Sequence, residues 1–244
     1  MFKKKALPTF LNVPWGIRDV VIFIVAWFGL QLLLSIGLAV MSPHVPVVTA
    51  FLKAISDGNV AASFVLDLAG VVLGLLLVAG FIRHYGVSWQ TLGWHKVGLL
   101  KTLGYLIGIM VIFFVVAQVA LIVVELLVPG FNANQPQTNE FTKGISTHRN
   151  LALIALVLLP PIFEETIFRG FIFPALSKRV GVIGGAILSS IIFGAAHGQP
   201  NLFVYTSILG LLLCFMYFKL RSIIPGILLH MLNNYLAFLA LSSK

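Results

Sequence analysis

The chain has 244 residues, of which 59% are hydrophobic and only 9% charged, against about 25% charged in an ordinary soluble domain. Mean hydropathy is +1.05 and the net charge is +9. These values exclude a soluble globular enzyme, a disordered chain and a disulfide-framed secreted domain, and they leave a polytopic membrane protein. The apolar runs are continuous rather than alternating, which predicts helices and not a β-barrel. The cations sit at the ends of apolar runs, so the basic balance reads as anchoring to a lipid bilayer, with no nucleic-acid partner. The single cysteine, Cys214, lies inside an apolar run and reads as a small core residue.

Seven apolar runs follow in order, at roughly 20 residues per span: 20–40, 60–82, 102–128, 151–176, 182–196, 202–218 and 223–241. The fifth and sixth are short. The start, with Lys3, Lys4 and Lys5, resembles the basic region of a signal peptide, but the run behind it is too long and begins too late for a cleaved one. With the N-terminus placed in the cytoplasm, Lys3, Lys4, Lys5, Arg18, Arg83, Lys96, Lys101, Lys178, Arg179, Lys219 and Arg221 fall inside. Lys53, Lys143, Arg149 and Lys244 fall outside, a clear positive-inside bias. Trp15, Trp89 and Trp94 flank the inner ends as interfacial aromatics. The longest outer loop, 129–150, is polar and predicted to be mobile. The fold class is all-α, a transmembrane helical bundle of about seven spans. Residues 1–149 hold the N-terminal helices and outer loop, and residues 150–244 a catalytic helical core.

With seven acids in the chain, each position is informative. Asp19 and Asp57 sit at span edges and Glu140 in a loop. Asp67, Glu125, Glu164 and Glu165 lie within apolar runs, where a lone acid costs about 2.5–3.5 kcal/mol on insertion scales. Asp67 reads equally as a packing hydrogen-bonder or a cavity liner, Glu125 as a residue that snorkels outward, and Gln31 and Gln118 as interhelical hydrogen-bonders. In the segment Pro160-Pro-Ile-Phe-Glu-Glu-Thr-Ile-Phe-Arg169, Glu165 and Arg169 are i,i+4 and share a helix face. Glu164 is rotated about 100° away and has no such partner. The pair Glu165–Arg169 therefore reads as a structural staple, which leaves Glu164 for chemistry. Pro160-Pro161 are expected to break the helix and admit water at depth.

Two histidines lie within the apolar runs. His197 ends the fifth, and His230 lies in the seventh with Asn234 one turn further on the same face. His44, His84, His95 and His148 read as ordinary surface residues. Glu, His, His and Asn suffice to activate a water and stabilise an oxyanion. They are also an acceptable zinc set, His2Glu plus water.

Glu164-Glu165-x-x-x-Arg169, Phe193-x-x-x-His197 and His230-x-x-x-Asn234 resemble the three motifs of the CAAX protease and bacteriocin-processing family of intramembrane proteases, over about residues 150–240. Characterised members can have eight spans, so the total is seven or eight, with the difference falling in the N-terminal part. The resemblance implies peptide-bond hydrolysis in a multi-pass protein of the cell membrane, on a membrane-associated peptide or protein. It implies Glu164 as general base, polarising a water with His197, and His230 and Asn234 as donors to the developing oxyanion. Glu165 and Arg169 would hold the helix in register, and Phe193 packs rather than reacts. Family members are labelled metalloproteases, yet a metal-free glutamate–water mechanism also fits. Glu164, His197 and His230 are thus conditional ligands for a divalent metal, zinc before others. The chain's size and short loops look bacterial, where a signalling peptide, a bacteriocin leader or a self-immunity role is the expected context. A transporter or channel with a Glu/His relay, or a non-catalytic immunity partner, are the competing functions.

Depth imposes a condition on this set. At about 1.5 Å per residue, His197 reaches the level of Glu164 only if residues 180–185 do not advance through the membrane. Gly181, Gly184 and Gly185 predict such a non-spanning turn, with the fifth span restarting near Ala186 and the fourth leaving the membrane at Pro174.

Overall fold

The computed structural model describes residues 7–131 and 148–242. Lys3–Lys5, the central part of the outer loop with Glu140 and Lys143, and Lys244 lie outside the described residues. The helices are α1 (Ile17–Met41), α2 (Pro46–Ser56), α3 (Val60–His84), α4 (Leu99–Leu127), α5 (Arg149–Leu153), α6 (Leu159–Glu165), α7 (Phe173–Ala195), α8 (Pro200–Leu220) and α9 (Ile224–Ser242). Two π-helical stretches, Ile154–Leu158 and Thr166–Ile172, join α5 to α6 and α6 to α7. Among the described residues, six helical stretches are long and apolar enough to cross a membrane. The fourth of these, Arg149–Ala195, bends at Gly181. Counting its two arms separately recovers the seven apolar runs of the sequence. The protein is an all-α, multi-pass integral membrane protein.

The described residues divide into two compact units, each drawing on both sides of residue 150. The first holds residues 7–20, 82–131 and 164–229, and the second holds 21–81, 148–163 and 230–242. In the first unit α4 packs on α8. Ile109, Met110, Phe113 and Ala117 recur at helical spacing and meet Leu209, Leu213, Met216 and Leu220, with Leu229 closing the cluster. Phe113 and Tyr205 meet edge to face at 4.7 Å between centroids. Cys214 is buried in α8, as a small core residue should be. Outward-facing positions such as Leu100, Val111 and Leu126 stay exposed, because a bilayer solvates them and burial in protein gains nothing there.

The second unit is held by aromatic and small residues. Trp27 donates its indole N–H to the Gly70 carbonyl at 2.9 Å and lies against Phe163. Phe163 fills the space over Gly74, where a Cβ would come within 2.7 Å of the ring. Ala152, Val157 and Phe238 form a second cluster with Val60, Leu153, Leu156, Met231 and Leu241 packed around it.

Several expectations are corrected. Residues 46–56 form a helix that the span count passed over. It opens on a proline at its first positions and is too short to cross a membrane. Trp15 is not an interfacial aromatic. It is 1% exposed, stacks on Phe171 and donates its Nε1–H to the Phe171 carbonyl at 2.9 Å. Lys178 Nζ in turn donates to the carbonyls of Val13 (2.7 Å) and Trp15 (2.9 Å), so residues 13–15 form a strap across the helix that follows the Glu pair. Pro174 does not end that helix. It sits at the start of α7, where a proline is tolerated and the preceding π turn absorbs its missing N–H. The non-spanning turn is a single residue: Gly181 alone leaves helical geometry (φ 79°, ψ 169°), a conformation open essentially to glycine. Pro160 and Pro161 do not break the chain either, and the helix passes through them. Gln118 is exposed, and neither it nor Gln31 makes an interhelical side-chain hydrogen bond among the described residues. Asp67 is exposed and has no partner there. His44, His84, His95 and His148 are exposed, as expected of surface residues.

Candidate active site

The Glu pair lies at the end of α6, where the helix widens into the π stretch Thr166–Ile172. π turns inside helices are frequent at functional positions. The two acids have different surroundings, as their 100° rotation requires. Glu165 is fully buried (0% exposed) and Arg169 is 1% exposed. Arg169 Nη1 donates to Glu165 Oε1 at 2.8 Å, while Nη2 donates to the Gly210 carbonyl of α8 at 3.2 Å. Gly226, in the first turn of α9, packs beside the same carboxylate; a Cβ there would lie 3.1 Å from Oε2. Glu164 is only half-buried. One acid is therefore sealed with its counter-ion, and the other faces partly outward.

The chain reversal at Gly181 brings the second motif back to the first. Gly185 packs directly on Ser177, where a Cβ would come within 2.7 Å of the Ser177 nitrogen. Further along, Ser189 Oγ donates to the Phe168 carbonyl at 3.3 Å. Phe193 then meets Phe168 edge to face at 5.0 Å. These contacts run the two arms antiparallel, and Ser177–Gly185 and Phe168–Phe193 lie at near-equal distances in sequence from Gly181. Glu164 lies seventeen residues before Gly181 and His197 sixteen after it, about 25 Å and 24 Å along the two arms. The reversal thus turns His197 back along the arm that carries Glu164.

His197 sits in the turn that ends α7, followed by Gly198 at φ 69°, a common helix stop. Its Nδ1 lies 2.9 Å from the Phe193 carbonyl. A carbonyl only accepts, so Nδ1 carries the hydrogen and Nε2 is left to accept a proton, a water or a ligand. Phe193 is the spacer behind it. The Phe193 ring lies under the Arg169 guanidinium at 4.5 Å and meets the His197 imidazole edge to face at 5.0 Å. Glu165, Arg169, Phe193 and His197 form one continuous series of contacts within the first unit.

His230 and Asn234 belong to the second unit, one turn apart on α9. His230 is buried (3% exposed). Asn234 is half-buried, donates from Nδ2 to the Leu156 carbonyl at 3.0 Å and accepts from Asn233 Nδ2 at 3.2 Å. Sequence reasoning missed Asn233 and the Leu156 carbonyl; the adjacent Asn-Asn pair was the available signal. Among the described residues, no group of three or more His, Cys, Asp or Glu side chains is arranged to hold a metal ion.

Residues 147–236 match the family model described as Type II CAAX prenyl endopeptidase Rce1-like. The match covers 90 of the 244 residues, and over that stretch the chain is similar to this family. The matched segment contains all three motifs from which the resemblance was drawn. The chain is also similar to a Bacillus subtilis protein named "Putative membrane peptidase YdiL", with 34% identity over 85 residues. That match spans 34% of this chain and 34% of the relative, about a third of each. No solved structure matches the chain.

Proposed function

We propose that the protein is an intramembrane endopeptidase of a bacterial cell membrane that cleaves a membrane-associated peptide or protein. The observation that supports this reading is the Gly181 reversal, which turns the arm bearing His197 back along the arm bearing Glu164, with the Glu165–Arg169 pair already neutralised. In the proposed reaction the Glu164 carboxylate takes a proton from a water held with His197 Nε2. The water oxygen bonds to the substrate carbonyl carbon. The carbonyl oxygen becomes an oxyanion that accepts hydrogen bonds from His230 and Asn234. Glu164 then passes its proton to the amide nitrogen as the C–N bond breaks, leaving a carboxylate and an amine.

A half-buried carboxylate suits a general base. Arg169 would depress the basicity of any acid it paired with, and it is committed to Glu165. The similarity to a protein named as a membrane peptidase supports the reaction class, and the family description supports a lipidated peptide as first probe.

The test uses the full chain in lipid nanodiscs and an internally quenched, farnesylated peptide ending in Cys-aliphatic-aliphatic-X. A comparison of membrane proteins in cells with and without activity runs beside it. Glu164→Gln should lower turnover by about 100-fold or more, while EDTA should leave it unchanged. Full cleavage by Glu164→Gln would refute the reading, and loss in EDTA reversed by zinc would replace the metal-free route.

A further inference from the structure

Pro160 and Pro161 are the second and third residues of α6, directly after the π stretch Ile154–Leu158, and the helix runs through both. Their consequence is local, and in either helix geometry the Leu156 carbonyl is among those that lose a donor. The Leu156 oxygen would accept from the N–H of residue 160 in α geometry, or of residue 161 in π geometry. Both are prolines and have no N–H. The next donor along, the Leu159 N–H, is taken by the Ile154 carbonyl. Leu156 therefore keeps its carbonyl clear of the backbone donors that would ordinarily claim it, and the Asn234 side chain occupies it at 3.0 Å.

That bond fixes the Asn234 amide. The nitrogen must face Leu156, because a carbonyl only accepts, and Oδ1 faces the other way, onto Asn233 Nδ2. An amide nitrogen has two hydrogens in one plane. With one held by Leu156, the direction of the second is set as well.

We propose that Pro160 is a positioning residue: it withholds the backbone donor from Leu156 so that Asn234 is anchored there with its second N–H aimed for the reaction. This rests on the reading of Asn234 as an oxyanion donor. A donor held in place before the reaction costs no reorganisation at the transition state, whereas an asparagine free to rotate does. Pro160→Ala returns an N–H that reclaims the Leu156 carbonyl in α geometry. The helix gains a hydrogen bond and a better helix former, and Asn234 loses its anchor. The substitution thus sets stability and turnover in opposite directions, which a proline serving only to shape the helix would not do.

The experiment uses the full chain in detergent micelles with 15N-labelled asparagine. The Asn234 side-chain signal is assigned by its loss in Asn234→Ala. In Pro160→Ala the hydrogen exchange of that side-chain amide should speed up about tenfold, the thermal midpoint should hold or rise, and kcat on the farnesylated peptide should fall about tenfold with KM unchanged. Glu164→Gln is assayed in parallel. Unchanged exchange at Asn234 in Pro160→Ala overturns the anchoring. Wild-type kcat in Pro160→Ala beside an inactive Glu164→Gln overturns the positioning role while leaving the protease reading intact. Wild-type turnover in Glu164→Gln defeats the protease reading itself, and the exchange measurement then still decides whether Pro160 anchors Asn234.

Discussion

Two adjacent glutamates should respond in opposite ways to the same substitution. Glu165 is 0% exposed and Arg169 1% exposed, with 2.8 Å between their charged atoms. Glu165→Gln leaves the guanidinium buried with the Gly210 carbonyl and the Phe193 ring as its other partners. Removing one partner of a buried pair costs about 3–5 kcal/mol, whereas replacing both with apolar groups is near neutral. Glu165→Gln is therefore expected to lose about 3 kcal/mol or more. Arg169→Met should lose at least as much, since it also surrenders the Gly210 bond and the Phe193 face. The double variant Glu165→Leu/Arg169→Met should cost less than either single change, a coupling that independent sites do not show. Glu164→Gln, at a half-buried position, should stay within about 1 kcal/mol of the parent while abolishing cleavage. Unfolding in mixed SDS micelles, followed by tryptophan fluorescence, gives all four values on one scale. A Glu165→Gln protein as stable as the parent, or single-variant losses that simply add, would refute the division of roles between the two acids.

Three further outcomes are expected. Gly181→Ala places a side chain at φ 79°, ψ 169° and should cost about 1–3 kcal/mol. Gly185→Val, pressed onto Ser177, should separate the arms and lower kcat as well; a spin-label distance between positions 177 and 185 reads the separation directly. Outside the spans, Tyr85 donates its hydroxyl to Asp19 at 2.8 Å, and this bond raises the phenol above its ordinary pKa of 10.0. A phenol raised in the folded state contributes stability that is fully present below the unfolded value, about 10, and lost as pH climbs through the folded one. The stability gap between the parent and Tyr85→Phe should hold to about pH 10 and close above it; a gap that closes below pH 9 would be inconsistent with this bond.

What the sequence revealed depended on how local the determinant was. The Glu165–Arg169 pair was legible because i,i+4 spacing fixes a shared face regardless of surroundings. The reversal between the fourth and fifth runs was legible as a cluster of glycines. Which one carried it was not, since Gly181 and Gly185 do different things: one supplies a backbone angle, the other a close approach. The proline pair was read as a break. What it changes is which carbonyl lacks a partner, and that becomes visible only when Asn234, 78 residues away, is seen to fill the place. Trp15 failed for a similar reason. Near a span end an indole reads as interfacial, and nothing in the neighbouring residues announces that Phe171, 156 residues on, accepts its hydrogen. The family resemblance was legible from three short motifs, because the spacing of chemistry-bearing residues within a helix is itself local.

The strap at residues 13–15 has a consequence for biosynthesis. Its anchors, Phe171 and Lys178, lie 156 and 165 residues downstream of Trp15 and Val13. A chain delivered to the membrane from its N-terminus makes the strap first and can fasten it only once the helix after the Glu pair has emerged. Until then Trp15 has no carbonyl to bind and the segment stays open to proteases. Fastening therefore reports that insertion has passed the first motif, and protection of residues 13–15 during synthesis would time the moment at which that part of the helical core is assembled.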